Sequence, residues 1–173
     1  MIEILKNKDN INDYEITETV VRVKALIINS NNNILLGRSH CEYQFPGGHV
    51  LGNESLITAL ERELKEETGL DYNVLELEPF VHLTAYYKDY PKVGENTKHV
   101  IYYYIIYDDR IPNLKETNYT DEERDGNYVL RYIPLDMVCD VIVENANING
   151  DVAGIVPEML EVFNYLFNNK NNE

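Results

Sequence analysis

The sequence predicts one α/β domain of the α+β type, a mixed sheet with helices, and three observations carry that prediction. Two apolar runs, Val20 to Ile28 and Ile34 to Leu36, flank a cluster of asparagines. A helical stripe lies between Ser55 and Thr68, and His99 to Tyr107 is apolar or aromatic at both alternating positions. The order is strands, helix, strands, helix, which is not a regular βαβ array. At 173 residues the chain has room for one compact domain and little more.

Taken in order, Met1 to Thr19 reads as an N-terminal extension or a first strand, residues 20–167 as the domain, and 168–173 as a disordered tail. Asn29 and Asn31 to Asn33 form a hairpin turn, because Asn tolerates left-handed backbone angles. Tyr43 to Gly48 is a glycine-containing loop. Ser55 to Thr68 is a helix whose Ile57, Leu60 and Leu64 share one stripe, with Gly69 just past its end. Val74 to Tyr87 holds strand material interrupted by Pro79, and His99 to Tyr107 reads as a central strand buried on both faces. Asp108 to Gly126 is a polar, acidic loop, followed by a strand from Tyr128 to Ile133. A helix over Val156 to Phe167 turns Met159, Leu160, Phe163 and Leu166 or Phe167 inward.

Composition narrows the function classes. Fifteen Lys and Arg stand against 30 Asp and Glu, a net charge of −15, which opposes non-specific nucleic-acid binding. A phosphorylated substrate would need its charge offset, and a metal held by carboxylates would do so. Cys41 and Cys139 form no zinc-type pair and match a reduced inventory. The N-terminus has no signal-peptide pattern, and Val100 to Tyr107, the longest apolar stretch, is too short to span a bilayer. The expectation is a cytoplasmic protein without a membrane partner.

The chemistry concentrates between Gly48 and Leu70. On a helix, Glu63, Glu66 and Glu67 fall within roughly a 100° arc beside the apolar stripe. Three like charges so close repel one another, but three hard oxygen donors suit Mg²⁺ or Mn²⁺. An isolated acidic helix face is ordinarily a solvated surface. Here more is present: Gly48, Glu54, Arg62, Glu63, Leu64, Glu66, Glu67, Gly69 and Leu70 match every fixed position of the Nudix box, and by chance that has a probability on the order of 10⁻⁷ or less.

The sequence therefore resembles the Nudix hydrolase family, whose fold is a mixed sheet sandwiched between helices. The resemblance implies Glu63, Glu66 and Glu67 as metal-binding carboxylates, with the Gly48 carbonyl as a further ligand. It implies Mg²⁺ as cofactor, with Mn²⁺ as a substitute. Arg62 would orient the neighbouring carboxylates, and Glu54 would support the loop–helix geometry or reach a water beside the metal. The implied reaction is hydrolysis of a nucleoside diphosphate linked to another group. The general base is expected outside the box, in the Asp108 to Gly126 loop, where Glu122 is chosen over Glu123 because Thr120 to Glu123 resembles a capped turn. The alternative is a Nudix-fold regulatory module that binds a nucleotide without turnover.

The box leaves the substrate open. Arg38, Phe45 and Tyr86 are the candidate substrate-binding residues. In this family a Tyr about 16 to 18 residues past the box marks diadenosine polyphosphate hydrolases, and Tyr86 and Tyr87 stand close to that place. Arg22, Lys24 and Arg38 have two readings, contact with substrate phosphate or, more ordinarily, a surface ion pair, and His40, His49, His82 and His99 read as structural or incidental residues. A small-molecule nucleotide is the expected partner, and oligomeric state, a homodimer included, stays open.

Overall fold

The computed structural model describes residues 1–170; positions 171–173 lie outside them. In chain order the elements are β1 (Ile2–Lys6), β2 (Glu18–Ile28), β3 (Asn33–Ser39), β4 (Glu42–Gln44), α1 (Leu56–Thr68), β5 (Val81–Tyr87), β6 (Thr97–Tyr107), α2 (Asp121–Asp125), β7 (Val129–Pro134), α3 (Val138–Asn149) and α4 (Val156–Lys170). Among the described residues seven strands form one mixed sheet, ordered β1-β5-β6-β2-β3-β4 with β7 on the side of β3. The β1–β5 and β2–β6 pairs are parallel and the others antiparallel.

Local chemistry explains the framework. Asn29 Oδ1 accepts the Asn31 and Asn33 N–H groups at 3.1 and 3.0 Å, and Asn32 takes φ 58°, which closes the β2–β3 hairpin. Ser55 caps α1 by accepting the Thr58 N–H at 3.1 Å, and Gly69 ends the helix by donating to the Lys65 carbonyl. As the sequence suggests, β6 is central, paired along its length with β2 and flanked by β5 on the other side. One face of the sheet buries Leu26 and Tyr103 with Val138 of α3 and Met159 and Phe163 of α4. The other buries Val23, Ala25 and Tyr104 with Leu60 and Leu64 of α1.

The N-terminal segment takes the strand alternative of its expected two, as edge strand β1 in register with β5 from Ile2–Val81 to Lys6–Ala85. Four features differ from the sequence expectation. The acidic loop expected over Asp108 to Gly126 contains helix α2. The loop expected from Tyr43 begins as strand β4, paired with β3. Helix α3 has no counterpart in the sequence reading. Helix α4 runs to Lys170, past the expected tail boundary at 168, while the rest of that tail lies outside the described residues.

The feature that positions the site is a divergence of strands. β3 pairs with β2 only at Leu35–Ile27 and Ile34–Ile28 and then turns to β4 and β7. The exposed edge of β2 is taken by the glycine loop instead. Ala25 N donates to Pro46 O at 2.8 Å, Val23 N to Gly48 O at 3.0 Å, and Val50 N to Val21 O at 2.9 Å. Gly47 sits at φ 122°, and any side chain there would collide with the Val23 carbonyl.

Candidate active site

Arg62 is the hub of the α1 face that looks onto this loop. Its guanidinium grips Glu54 with two bonds, Nη2 to Oε1 at 2.6 Å and Nε to Oε2 at 3.2 Å. Nη1 donates to Glu63 Oε1 at 2.8 Å and lies 3.6 Å from Glu66 Oε2, while Nη2 also donates to the His49 carbonyl at 2.8 Å. The bond from Arg62 holds the Glu54 carboxyl below its ordinary range, and Glu54 also accepts the Leu51 N–H. Of its two expected roles, Glu54 is thus placed for the loop–helix one. Burial raises Glu63, with Arg62 acting against it.

Glu67 is not at the edge of the helix contact, where spacing alone places it. It is 1% exposed and continues the inward stripe of Leu60 and Leu64. Its carboxylate accepts the Gly47 N–H at 2.7 Å. Burial pushes it up to about 8, with Lys24 and the Gly47 bond opposing. Tyr128, 6% exposed, carries its hydroxyl in the same environment, and burial and then the Glu67 charge raise it well above the usual phenol range.

Lys24 corrects the sequence reading most directly. It is not a surface ion-pair residue: its ammonium donates to the Phe45 carbonyl at 3.1 Å and to the Gly47 carbonyl at 2.6 Å, pinning the loop. Burial lowers its pKa, with Glu67 the largest opposing charge. A lysine interrupting the apolar run of β2 is the signal that could have found it, because a lone cation in such a strand needs partners.

The candidate substrate residues are not brought together. Phe45 is core, 2% exposed, in edge contact with Tyr103 at 5.7 Å and tilted on Phe163 at 5.1 Å, so it offers no ring to a substrate. Phe45→Ala is accordingly expected to destabilise the fold by about 3–5 kcal/mol, read as a lower urea midpoint at unchanged m-value. Tyr86 donates to Asp13 at 2.7 Å under the Lys98 ammonium, on the sheet face opposite Arg22 and His99. Arg38 reaches Asn145 of α3 at 3.4 Å and lies over the Tyr43 ring.

The loop 108–120 crosses the C-terminal end of α1. Asn113 N donates to Thr68 O and Asn118 N to Glu66 O, both at 2.8 Å. This strap carries α2 over the carboxylates and closes a cleft of about 480 Å³ lined by His49, Arg62, Glu63, Glu66, Tyr119 and Asp121 among others. In α2, Glu123 is taken up by a capping box, accepting the Thr120 N–H at 2.6 Å and the Thr120 hydroxyl at 2.9 Å. Asp121 binds Arg124 at 2.6 Å. Among the described residues the Glu122 side chain makes no hydrogen bond or ion pair, while its carbonyl accepts the Gly126 N–H at 2.9 Å.

The decisive comparison is with the NUDIX domain, whose family model matches residues 18–150. The chain belongs to the NUDIX family. It is a NUDIX pyrophosphohydrolase by that membership, and hydrolases of the family generally need a divalent metal. Its NUDIX fold is similar to the mutator MutT protein from Bacillus halodurans, with a TM-score of 0.56 and 16% identity over 83% of this chain and 82% of that one. It is likewise similar to a C. elegans Ap4A hydrolase in a binary complex, at 0.56 and 16% over 89% and 99%. A MutT NUDIX hydrolase from Burkholderia pseudomallei gives 0.50 and 22% over 68% and 84%. No curated protein sequence matches the chain. Among the described residues no helix is long and apolar enough to cross a membrane.

Glu63, Glu66 and the Gly48 carbonyl are oxygen donors of the kind a hard divalent ion takes, although among the described residues no three His, Cys, Asp or Glu side chains are grouped to hold one. The Glu63 carboxyl lies directly against Gly48, where a Cβ would come within 2.5 Å of Glu63 Cδ, so only glycine leaves that space. The Gly48 carbonyl accepts the Val23 N–H and keeps a second lone pair. With burial raising Glu67 to about 8, only additional positive charge beyond that of Lys24 would hold it as a carboxylate at neutral pH.

Proposed function

We propose that this chain hydrolyses the pyrophosphate linkage of a nucleoside diphosphate joined to another group, in the cleft between α1 and α2. The observation that carries the reading is the single guanidinium of Arg62 holding Glu54, Glu63 and Glu66 against the Gly48 loop. Mg²⁺, or Mn²⁺ in its place, would be held by Glu63, Glu66, Glu67 and the Gly48 carbonyl, and supplies charge to offset that developing on phosphate oxygens.

The chain's own groups do the remaining work. Arg62 fixes the directions of the carboxylates, so their geometry exists before substrate arrives. Lys24 and the β2 edge hold the glycine loop, so its carbonyls keep their positions. Glu122, on α2 between the cleft-lining Asp121 and Arg124 and with an uncommitted side chain, accepts a proton from the attacking water as the water oxygen bonds to phosphorus. The bridging P–O bond breaks and the leaving phosphate departs.

The test is phosphate release over a panel of nucleoside triphosphates, nucleoside diphosphate sugars and dinucleotides, each with Mg²⁺ or Mn²⁺ and each with a chelator. Release from at least one class, abolished by the chelator, is expected. Release that survives chelation unchanged removes the metal from the reading. Nucleotide binding without release from any class would favour the non-hydrolytic module.

A further inference from the structure

Arg22 differs from the cations around it. Arg62 is shared among carboxylates, Arg124 pairs with Asp121, and Lys98, on the strand beside it, pairs with Asp13. Among the described residues Arg22 has no carboxylate within ion-pair distance, in a chain with twice as many acids as bases. Its guanidinium meets two imidazoles instead: Nε donates to His49 Nε2 at 3.2 Å, and Nη1 lies 3.5 Å from His99 Nδ1.

The position is as informative as the pairing. His49 follows Gly48 and stands between two guanidinium groups, its carbonyl on Arg62 at 2.8 Å and its ring on Arg22. Arg62 is saturated by the carboxylates, whereas Arg22, one residue's width away, is open. Arg22, His99 and Tyr87 project from one sheet face, by the register of β2, β6 and β5. Tyr87 lies 4.8 Å from His99, and Tyr90 lies 5.7 Å from Tyr87; both rings are partly exposed. An anion arriving at this face would meet a guanidinium with no acid already paired to it, and a charge-assisted hydrogen bond is the stronger kind. Glu158, the acid that α4 brings to this face, accepts the Tyr103 hydroxyl.

We propose that Arg22, framed by His49 and His99, is a phosphoryl-recognition subsite beside the hydrolytic cleft. The substrate class is then one whose second group is itself phosphorylated, a nucleoside triphosphate or longer polyphosphate, in preference to a nucleoside diphosphate carrying a neutral sugar. This rests on the hydrolase reading above and narrows it.

The experiment compares wild type, Arg22→Gln and Arg22→Lys on a nucleoside triphosphate and on the diphosphate sugar of the same nucleoside, with thermal melts to confirm folding. Arg22→Gln should raise KM for the triphosphate about 10- to 100-fold, the loss expected for a charge-assisted bond, with kcat nearly unchanged. The sugar substrate should be unaffected, and Arg22→Lys should recover part of the loss. Equal effects on both substrates, or none on either, overturn the subsite. A calorimetric titration with inorganic tripolyphosphate under chelator separates the two levels. Tripolyphosphate binding that Arg22→Gln abolishes, in a protein that hydrolyses nothing, keeps the subsite and removes the hydrolase. Hydrolysis indifferent to Arg22→Gln does the reverse.

Discussion

Glu67→Gln is expected to leave the fold intact and to lower turnover by several orders of magnitude at saturating Mg²⁺. The amide keeps the shape that fills the space under Gly47, and its carbonyl oxygen can still accept the Gly47 N–H now held at 2.7 Å. What it lacks is charge, and a neutral amide is a much poorer ligand for a hard cation. Stability should move the other way. Burial raises the Glu67 pKa from 4.5 to about 8 in the metal-free protein, so the folded state retains a proton that the unfolded chain has released. The favourable contribution of the neutral carboxyl is complete below pH 4.5 and is lost as pH rises toward 8. Gln does not ionise, so chelated Glu67→Gln should match wild type in melting temperature near pH 4 and exceed it increasingly up to about pH 8. Near wild-type hydrolysis by the variant would remove Glu67 from the site, and a melting difference independent of pH would remove its buried ionisation.

Much of this arrangement is legible in the sequence because local rules and the fold agree. The asparagine hairpin, the Ser55 cap with Gly69 at the far end of α1, and the two-sided apolar strand β6 follow from turn chemistry and periodicity. Helix α3 is not legible, since Val138, Val141, Ile142, Val143 and three asparagines are weak helix formers, and it is tertiary burial of Val138 and Ile142 that decides its state. In the site, the resemblance to the Nudix box implies that Arg62 orients neighbouring carboxylates, and Glu54, Glu63 and Glu66 are the ones it meets. Lys24 and Phe45 are misplaced for a different reason. Their surroundings depend on β3 leaving β2 and the glycine loop replacing it, a long-range event that no window of sequence contains. Tyr86 fails similarly: strand alternation puts it on the face opposite Arg22, where Asp13 from the N-terminal segment meets it.

Glu122→Gln should lower kcat by about 10²- to 10⁴-fold, the range for losing a positioned general base, with little change in metal affinity. Three neighbouring acids make the assignment discriminating. Asp121 lines the cleft but is paired with Arg124, and Glu123 is bound into the Thr120 cap, so either would have to give up that tie to take a proton. Glu122 has no such tie among the described residues, and its charge is felt at His49 in the cleft wall, where it pulls upward on an imidazole lowered by burial and by Arg22. Glu123→Gln is the matched control. Gln serves at the third position of a capping box as Glu does, so the turn should survive and the rate should stay near wild type. The pH–rate profile adds a second readout, because losing the base should flatten its acidic limb, whereas a merely displaced α2 would lower the whole curve. A fall confined to Glu123→Gln would transfer the role to that residue. A loss below about threefold in both variants, far under the range for a general base, would return it to the box, with Glu63 the next carboxylate to replace.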